Sequence, residues 1–473
     1  MSGGIAMERA SALIRKDPET LGISSRAISD FIDAVHESKL ELHSFMLLRH
    51  CAVAAEGWWA PYAPEFRHAL YSLTKSFTST GIGLAVQEGR LSLDDQVISF
   101  FPDDQPSDVS ENLAAMRIRH LLTMSTGHSS DVVDGFRLGE SGLVRAFLEL
   151  PVEHVPGTHF VYNTPASCML SAIVTKVTGQ TLADYLKPRL LDPLGIDADW
   201  ELTAEGISNG GYGLSIRTED IAKFGQLYLN KGVWQGRRLL PEEWVSQATS
   251  KQVSNGNSDT SDWMQGYGYQ FWMCRYGAFR GDGMFGQYCV VMPSQDAVVA
   301  ITANVTDMQA VLNLVWKHLL PAMGDRPLPE DREARETLTQ KLSSLAIQPP
   351  VTRTSSPIVS DVSGKRFSVK GTDRDLIWDI VVTFSQDKCV VGLDRGKEHY
   401  DLECGLGYWL RSETNLPGRR LAKPEPVKIA ASAGWSDDST LLIAIRPIET
   451  PSVQTVALRF DGDSLTVETR KPR

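Results

Sequence analysis

Ser72 and Lys75 stand three positions apart at the head of HALYSLTKSFTSTGIGLAVQEG (68–89), an apolar stretch with helical spacing. On a helix, residues i and i+3 share a face, so the Ser72 hydroxyl and the Lys75 ammonium can share a hydrogen bond. A serine hydroxyl is a weak nucleophile until a base sits beside it, and a lysine held in a dry site loses part of its preference for the charged form. A helix N-terminus adds backbone N–H groups without intrahelical acceptors, which favour an oxyanion forming beside Ser72. The chemistry this arrangement can perform is acyl transfer through a covalent serine intermediate.

Ser-x-x-Lys is a short pattern, and it recurs at Ser385–Lys388. That copy lies between VVTF and CVVGL, where alternating apolar residues bracket a polar pair, so it reads as a hairpin turn. The first copy is followed by Phe77, Ile82, Leu84, Ala85 and Val86 at helical spacing, with Gly81 and Gly83 inside. Each interior glycine costs roughly 1 kcal/mol relative to alanine, so close packing against neighbours is expected there. A second contributor is Tyr162, at a loop-to-helix junction in PGTHFVYNTPASCMLSAIVTKVTG (156–179). Beside a lysine cation its phenolate would be favoured, making Tyr162 a candidate general base; taken alone, the segment reads rather as an anchoring tyrosine.

Other chemistries find less support. No Gly-x-Ser-x-Gly elbow occurs, the nearest being Met124-Ser125-Thr126-Gly127 without its first glycine. There is no His-Glu-x-x-His, and Glu153, His154 and His159 lack ligand spacing. His120 reads as structural, whereas His128 follows a Ser-Thr-Gly turn and could reach a cleft. Gly281, Gly283 and Gly286 satisfy GxGxxG, but QYCVVM after them is a strand, so a dinucleotide fingerprint is excluded. Two β-runs joined at Pro293–Asp296 form a hairpin instead, and glycines in its first strand permit close approach of a ligand's backbone or acyl group.

The elements that must position these residues fit a multidomain chain of 473 residues. Net charge of −11 argues against nucleic acid or an anionic membrane as a partner. The polar N-terminus and the lack of a long apolar run point to a cytoplasmic protein with no membrane association. Six scattered cysteines without CxxC spacing imply reduced thiols, with no disulfide framework and no zinc site. A helix with Ile28, Phe31, Ile32 and Val35 as its core stripe leads into the strand SFMLLRHCAVA. Trp58 and Trp59 follow, either as pocket lining or as aromatic core. A glycine-rich loop, SNGGYGLS, precedes the helix RTEDIAKFGQLYLN. Residues 323–357, rich in proline and charge around one short helix, are expected as a linker between a domain over 1–322 and a β-rich domain over 358–473. The latter shows period-two runs throughout, as an antiparallel all-β domain or small barrel would.

Taken in order, YSLTKSFTSTGIGLAVQEGRLSLDDQVISFFP, IRHLLTMSTGH, PGTHFVYNTPASCMLSAIVTKVTGQTL, GGYGLSIRTEDIAKFGQLYLNKGVWQGRRLLPEEWV and GMFGQYCVVMPSQDAVVAIT resemble the serine hydrolases of the class C β-lactamase and penicillin-binding-protein type, which include esterases and D-aminopeptidases. The resemblance runs over roughly residues 20 to 322. It implies a mixed α/β (α+β) fold, an antiparallel sheet flanked by helices with a helical lobe. It further implies Ser72 as nucleophile, Lys75 as its partner, Tyr162 as the base that also protonates the leaving group, and the backbone N–H near Met284 as second oxyanion donor. No metal or cofactor is implied.

Two positions depart from the family pattern. Asn usually stands two residues after the tyrosine; here that position is Thr164, and Asn163 falls one place early. The sheet-edge motif starts with Lys or His, then Ser/Thr and Gly; here it reads Gly281-Asp282-Gly283, so a substrate carboxylate would meet Asp282 in place of a cation. The expectation is therefore a serine hydrolase cleaving an ester or amide of a small neutral or cationic molecule. The rival expectations are β-lactamase or D-amino-acid peptidase activity, and a catalytically idle binding or scaffold member of the fold.

Overall fold

A helix that is apolar on every side belongs inside a protein, and the helix carrying Lys75 is enclosed in this way: every residue from Thr74 to Ala85 is buried. In the computed structural model, whose described residues are 13–131, 142–351, 353–370, 377–416 and 426–470, two units surround separate cores. One comprises residues 13–58 and 64–344, the other 59–63 and 345–470. The N-terminal tail read for targeting lies largely outside the described residues.

The first unit is built on a seven-stranded sheet. Its strands are β1 (Ile14–Arg15), β2 (Leu42–Arg49), β3 (Ala52–Trp58), β4 (Trp272–Met273), β5 (Phe279–Gly283), β6 (Gln287–Met292) and β7 (Ala297–Ala303), in the order β1-β3-β2-β7-β6-β5-β4. All pairs are antiparallel except β1 on β3. The hairpin expected at Pro293–Asp296 is the β6–β7 connection, and the GxGxxG glycines lie on β5 and in the turn after it.

Helices α1 (Ser25–Glu37), α2 (Thr74–Gln87), α3 (Thr164–Thr178) and α4 (Thr218–Leu229) carry most of what positions the site. Ile28, Phe31, Ile32 and Val35 of α1 are buried, as the stripe predicts. Phe77 of α2 stacks on Phe224 of α4 at 3.8 Å between ring centroids, and one apolar core runs from the sheet through α2 and α3 into the helical lobe. Trp58 packs against this core, so the core reading of that aromatic holds. The 323–357 segment contains a further helix, α5 (Arg332–Ser343), inside the first unit: Lys341 reaches Asp33 of α1 at 2.6 Å and Arg26 reaches Asp331 at 3.0 Å.

The second unit holds nine described strands: β8 (Arg366–Lys370), β9 (Ile377–Phe384), β10 (Lys388–Arg395), β11 (Glu398–Leu406), β12 (Leu410–Thr414), β13 (Val427–Trp435), β14 (Thr440–Pro447), β15 (Gln454–Asp461) and β16 (Ser464–Arg470). They are antiparallel apart from the short β11–β13 pairing, and the end strands β8 and β16 approach one another as a nearly closed barrel. Phe367, Trp435 and Phe460 meet inside it. The second Ser-x-x-Lys copy is the β9–β10 turn, where Ser385 N–H donates to the Lys388 carbonyl at 2.8 Å and the Lys388 ammonium bonds Glu403. A five-residue excursion, Trp59–Ala63, belongs to this unit: Ala60 N–H donates to Leu345 O at 3.0 Å and Ile347 N–H to Ala60 O at 2.8 Å. All six cysteines are free thiols, Cys51 exposed and the others buried.

The interior glycines of α2 are contact points. A methyl group on Gly83 would lie 2.3 Å from the Trp244 ring, and one on Gly81 would lie 2.5 Å from Leu182. Alanine in a helix interior is ordinarily favoured over glycine by about 1 kcal/mol, whereas forcing extra volume into a packed core costs about 1–3 kcal/mol. Gly83→Ala is therefore expected to lower the thermal unfolding midpoint by a few degrees, and trimming the ring in Gly83→Ala/Trp244→Leu should remove the clash. A Gly83→Ala midpoint above wild type would show that helix propensity wins.

Candidate active site

Ser72 occupies a short 3-10 turn, Tyr71–Leu73, that runs straight into α2. Tyr71 is held at φ 49° and Phe285, after β5, at φ 68°; their rings meet edge to face at 5.6 Å. Positive φ is costly for residues with a Cβ, so packing must hold this turn in place. Strand β5 supplies that packing through its glycines. A methyl on Gly283 would sit 2.0 Å from Leu70 O and 3.1 Å from Ser72 N, and one on Gly281 would sit 2.4 Å from Leu73 and 2.6 Å from Ser76 Oγ. The GxG spacing thus has a steric cause: alternate residues on one strand face must let the serine turn lie directly on the sheet edge.

Lys75, in the first turn of α2, is buried, and its Nζ has three acceptors: Ser72 Oγ at 2.9 Å, Gly211 O at 2.8 Å and Thr164 Oγ1 at 3.3 Å. Burial lowers its ammonium from 10.5 to about 8, while Cys168, Asp131 and Asp282 pull the other way. The Ser72–Lys75 pair expected from i, i+3 spacing is therefore formed, in a site dry enough to bring the amine near neutrality. The Gly211 carbonyl comes from the glycine-rich loop, whose backbone threads between α2 and α3. A methyl on Gly210 would lie 2.4 Å from Ser167 O, and one on Gly211 would lie 2.7 Å from Thr164 Cγ2. Sequence reasoning saw the glycines of SNGGYG without assigning them this task.

Tyr162 is half-buried, with Lys75 Nζ 5.0 Å from its ring centre and its hydroxyl on the Ser72 side of the site. The expectation of a phenolate favoured by Lys75 is corrected here. Burial raises the phenol well above its usual value, the Asp282 and Asp131 carboxylates add to that, and the Ser72 hydroxyl only partly opposes it. Tyr162 is a proton donor in the resting site. Asn163 and Thr164 point in different directions. Asn163 turns inward, capping α3 through Ala166 N–H at 3.1 Å and bonding His128 at 3.1 Å, whereas Thr164 faces Lys75. His128 is buried against Asn163, Thr126 and the Phe147 ring, and His120 accepts the Arg117 N–H at 3.1 Å as a structural group.

Asp282 also departs from expectation. In place of an unpaired anion there is a buried ion pair: Arg280, two residues earlier on the same face of β5, reaches Asp282 Oδ2 at 2.9 Å through both Nε and Nη2. Burial raises the Asp282 carboxyl, and Arg280 pulls against that. Arg280 bonds the Asp262 carbonyl at 2.8 Å and lies 4.3 Å over the Trp263 ring. Alternation along R-G-D was the available signal. A like-charge clash with carboxylates therefore does not follow from Asp282. Met284, 57% exposed, follows Gly283 at the rim, and the exposed Asp131 accepts Thr164 N–H at 3.4 Å. Gln270, missed in the sequence, bonds Ser167 of α3 at 2.6 Å and takes the Ser76 hydroxyl of α2 on its carbonyl at 2.8 Å, fixing the two helices to each other.

Such a site pairs an activatable hydroxyl with a desolvated amine and a protonated phenol on the edge of an antiparallel sheet. A family model described as Beta-lactamase matches residues 43–319. The chain belongs to the beta-lactamase family. Within it, the chain is 26% identical over 321 residues to the 6-aminohexanoate-dimer hydrolase of Paenarthrobacter ureafaciens, covering 61% of this chain and 80% of that protein. It is 25% identical over 298 residues to penicillin-binding protein 4 of Amycolatopsis lactamdurans, covering 55% and 77%. Among solved structures, the octameric penicillin-binding protein homologue from Pyrococcus abyssi shares the fold over 94% of this chain and 98% of its own, with TM-score 0.51 and 18% identity. Hydrolases are thus among its beta-lactamase-family relatives, and this chain is read as a hydrolase. Among the described residues no helix is long and apolar enough to cross a membrane.

The depressed lysine is directly observable. Nuclear magnetic resonance of lysine side-chain carbons, assigned with Lys75→Arg, is expected to show one lysine titrating near pH 8, charged below and neutral above, as burial dictates. A Lys75 midpoint above 10 would mean that water reaches the amine.

Proposed function

We propose that this protein is a serine hydrolase that cleaves an ester or amide of a small molecule through an acyl-enzyme on Ser72. The observation that carries this reading is the 2.9 Å contact between Ser72 Oγ and a buried Lys75 whose pKa falls to about 8. A general base works best with a pKa near the operating pH, and Lys75 meets that condition where Tyr162 does not.

In the proposed cycle, neutral Lys75 takes the Ser72 proton as Oγ attacks the carbonyl, and the Ser72 and Met284 amides receive the oxyanion. Collapse of the tetrahedral intermediate breaks the bond to the leaving group, which takes the Tyr162 proton. The Lys75 ammonium returns a proton to Tyr162, so the acyl-enzyme forms with both groups neutral. Neutral Lys75 then takes a proton from water as the water oxygen attacks the acyl carbonyl, and the ammonium passes that proton to Ser72 Oγ as the acid is released.

Specificity follows from the sheet edge. An internally neutralised Arg280–Asp282 pair stands where the family places a cation, which favours substrates without a carboxylate at that point. The name of the P. ureafaciens relative supports amide cleavage; that of the A. lactamdurans relative favours penicillin-type ligands as the competing reading.

Intact mass and peptide mapping after a fluorophosphonate, on wild type and Ser72→Ala, test the nucleophile. One adduct on wild-type Ser72 and none in the variant is the expected result. No adduct, or one on Ser125, would overturn it and favour an idle scaffold. Turnover of an uncharged p-nitrophenyl ester should rise as pH passes through about 8, where Lys75 loses its proton, and Lys75→Ala should lower kcat by about 10²–10⁴-fold. Nitrocefin turned over as fast as the ester would restore the β-lactamase reading.

A further inference from the structure

Tyr162 is supported from below by a chain of contacts that begins on β5. The Trp272 ring on β4 lies nearly parallel to the Tyr162 ring, 5.4 Å between centroids at 18°. Trp272 is fixed edge-on by Tyr267 at 4.8 Å and 81°, and it stands directly opposite Arg280 in the β4–β5 pairing. The Arg280 guanidinium lies 5.6 Å from the centre of the Trp272 ring. Asp282 is in turn held at 2.9 Å by Arg280, itself tied to the Asp262 carbonyl and to Cys274 Sγ at 3.1 Å. Every member except Tyr162 is buried.

We propose that Trp272 and Asp282 are positioning residues for Tyr162: Asp282 holds the Arg280 guanidinium against the indole, and the indole face sets the phenol against Ser72. The inference rests on the Ser72 acyl-enzyme reading above and extends it to residues that touch no substrate. The anion at the sheet edge then has a definite task, holding an aromatic ring in place of recognising a ligand.

Two substitutions separate the parts. Trp272→Phe shrinks the face on which the phenol rests; Asp282→Asn keeps an acceptor oxygen and removes the charge that holds Arg280. The titratable and charged groups facing the phenol and the amine, besides Ser72, are Cys168, Asp131, Tyr267, Arg280 and Asp282. Asp282 raises the Lys75 pKa and the Tyr162 pKa alike, so its neutralisation moves the ascending limb of the ester pH profile to lower pH, whereas Trp272→Phe leaves that limb in place.

The experiment is steady-state hydrolysis of an uncharged p-nitrophenyl ester from pH 6 to 10 by wild type and both variants, with fluorophosphonate labelling of each and a thermal melt. The expected result is a kcat loss in Trp272→Phe of about 10- to 100-fold at nearly constant KM, as for a misplaced catalytic group, together with the acid-ward limb in Asp282→Asn. Should Asp282→Asn fail to fold, because Arg280 is left as an unpaired buried charge, Trp272→Phe decides alone. A wild-type kcat in Trp272→Phe, or a raised KM with kcat intact, would overturn the proposal while labelling of Ser72 leaves the parent reading standing. Absence of a Ser72 adduct in wild type would overturn both.

Discussion

The desolvation of one ammonium governs the architecture around it. An isolated buried lysine charge is expensive, and proteins respond by supplying acceptors or by lowering its pKa. Here both occur. Ser72, Thr164 and the Gly211 carbonyl surround Nζ, and each comes from a different part of the chain. The serine turn must lie on the sheet edge, α3 must present Thr164, and a loop some forty residues beyond must bring bare backbone between two helices. Several conserving features of packing elsewhere in the unit, from the α2–α4 ring stack to the Gln270 clasp, serve to hold α2 where those three acceptors can meet.

Glycine supplies the remaining constraint. At Gly210, Gly211, Gly281 and Gly283 a single methyl group would collide with backbone or side-chain atoms at 2.0 to 2.7 Å. Hydrogen bonds to the lysine and approach of β5 to the serine turn both require chain segments to touch with nothing between them. A dry site is the by-product: backbone packed on backbone leaves little room for water, and this maintains the low polarity that depresses the amine.

Much of this was legible in the sequence. The i, i+3 spacing of Ser72 and Lys75, the buried character of α2, the hairpin nature of the second Ser-x-x-Lys copy and the rejection of a dinucleotide loop all follow from local periodicity, and local periodicity is what a sequence displays directly. The ordered family segments added the antiparallel sheet, and the period-two runs after residue 358 marked the separate β-rich unit. What escaped notice depends on distance in the chain. The Gly211 carbonyl and Gln270 act through backbone or amide groups with no motif of their own. The protonated state of Tyr162 depends on burial and on the Asp282 and Asp131 carboxylates, which come from distant parts of the chain. The Arg280–Asp282 pair changes the meaning of Asp282 altogether, since a residue read singly as an anion is half of a neutral unit.

The excursion of Trp59–Ala63 carries a consequence for the order of events during synthesis. These five residues leave the ribosome early, yet their backbone partners at Leu345 and Ile347 follow only after the whole of Pro64–Ser344. A contact so distant in the chain is slow to close. The barrel-like unit is therefore not contiguous in sequence. Trp59–Ala63 is a strap from early in the chain whose backbone partners, in the irregular stretch at Leu345 and Ile347, are made only after the first unit's own residues.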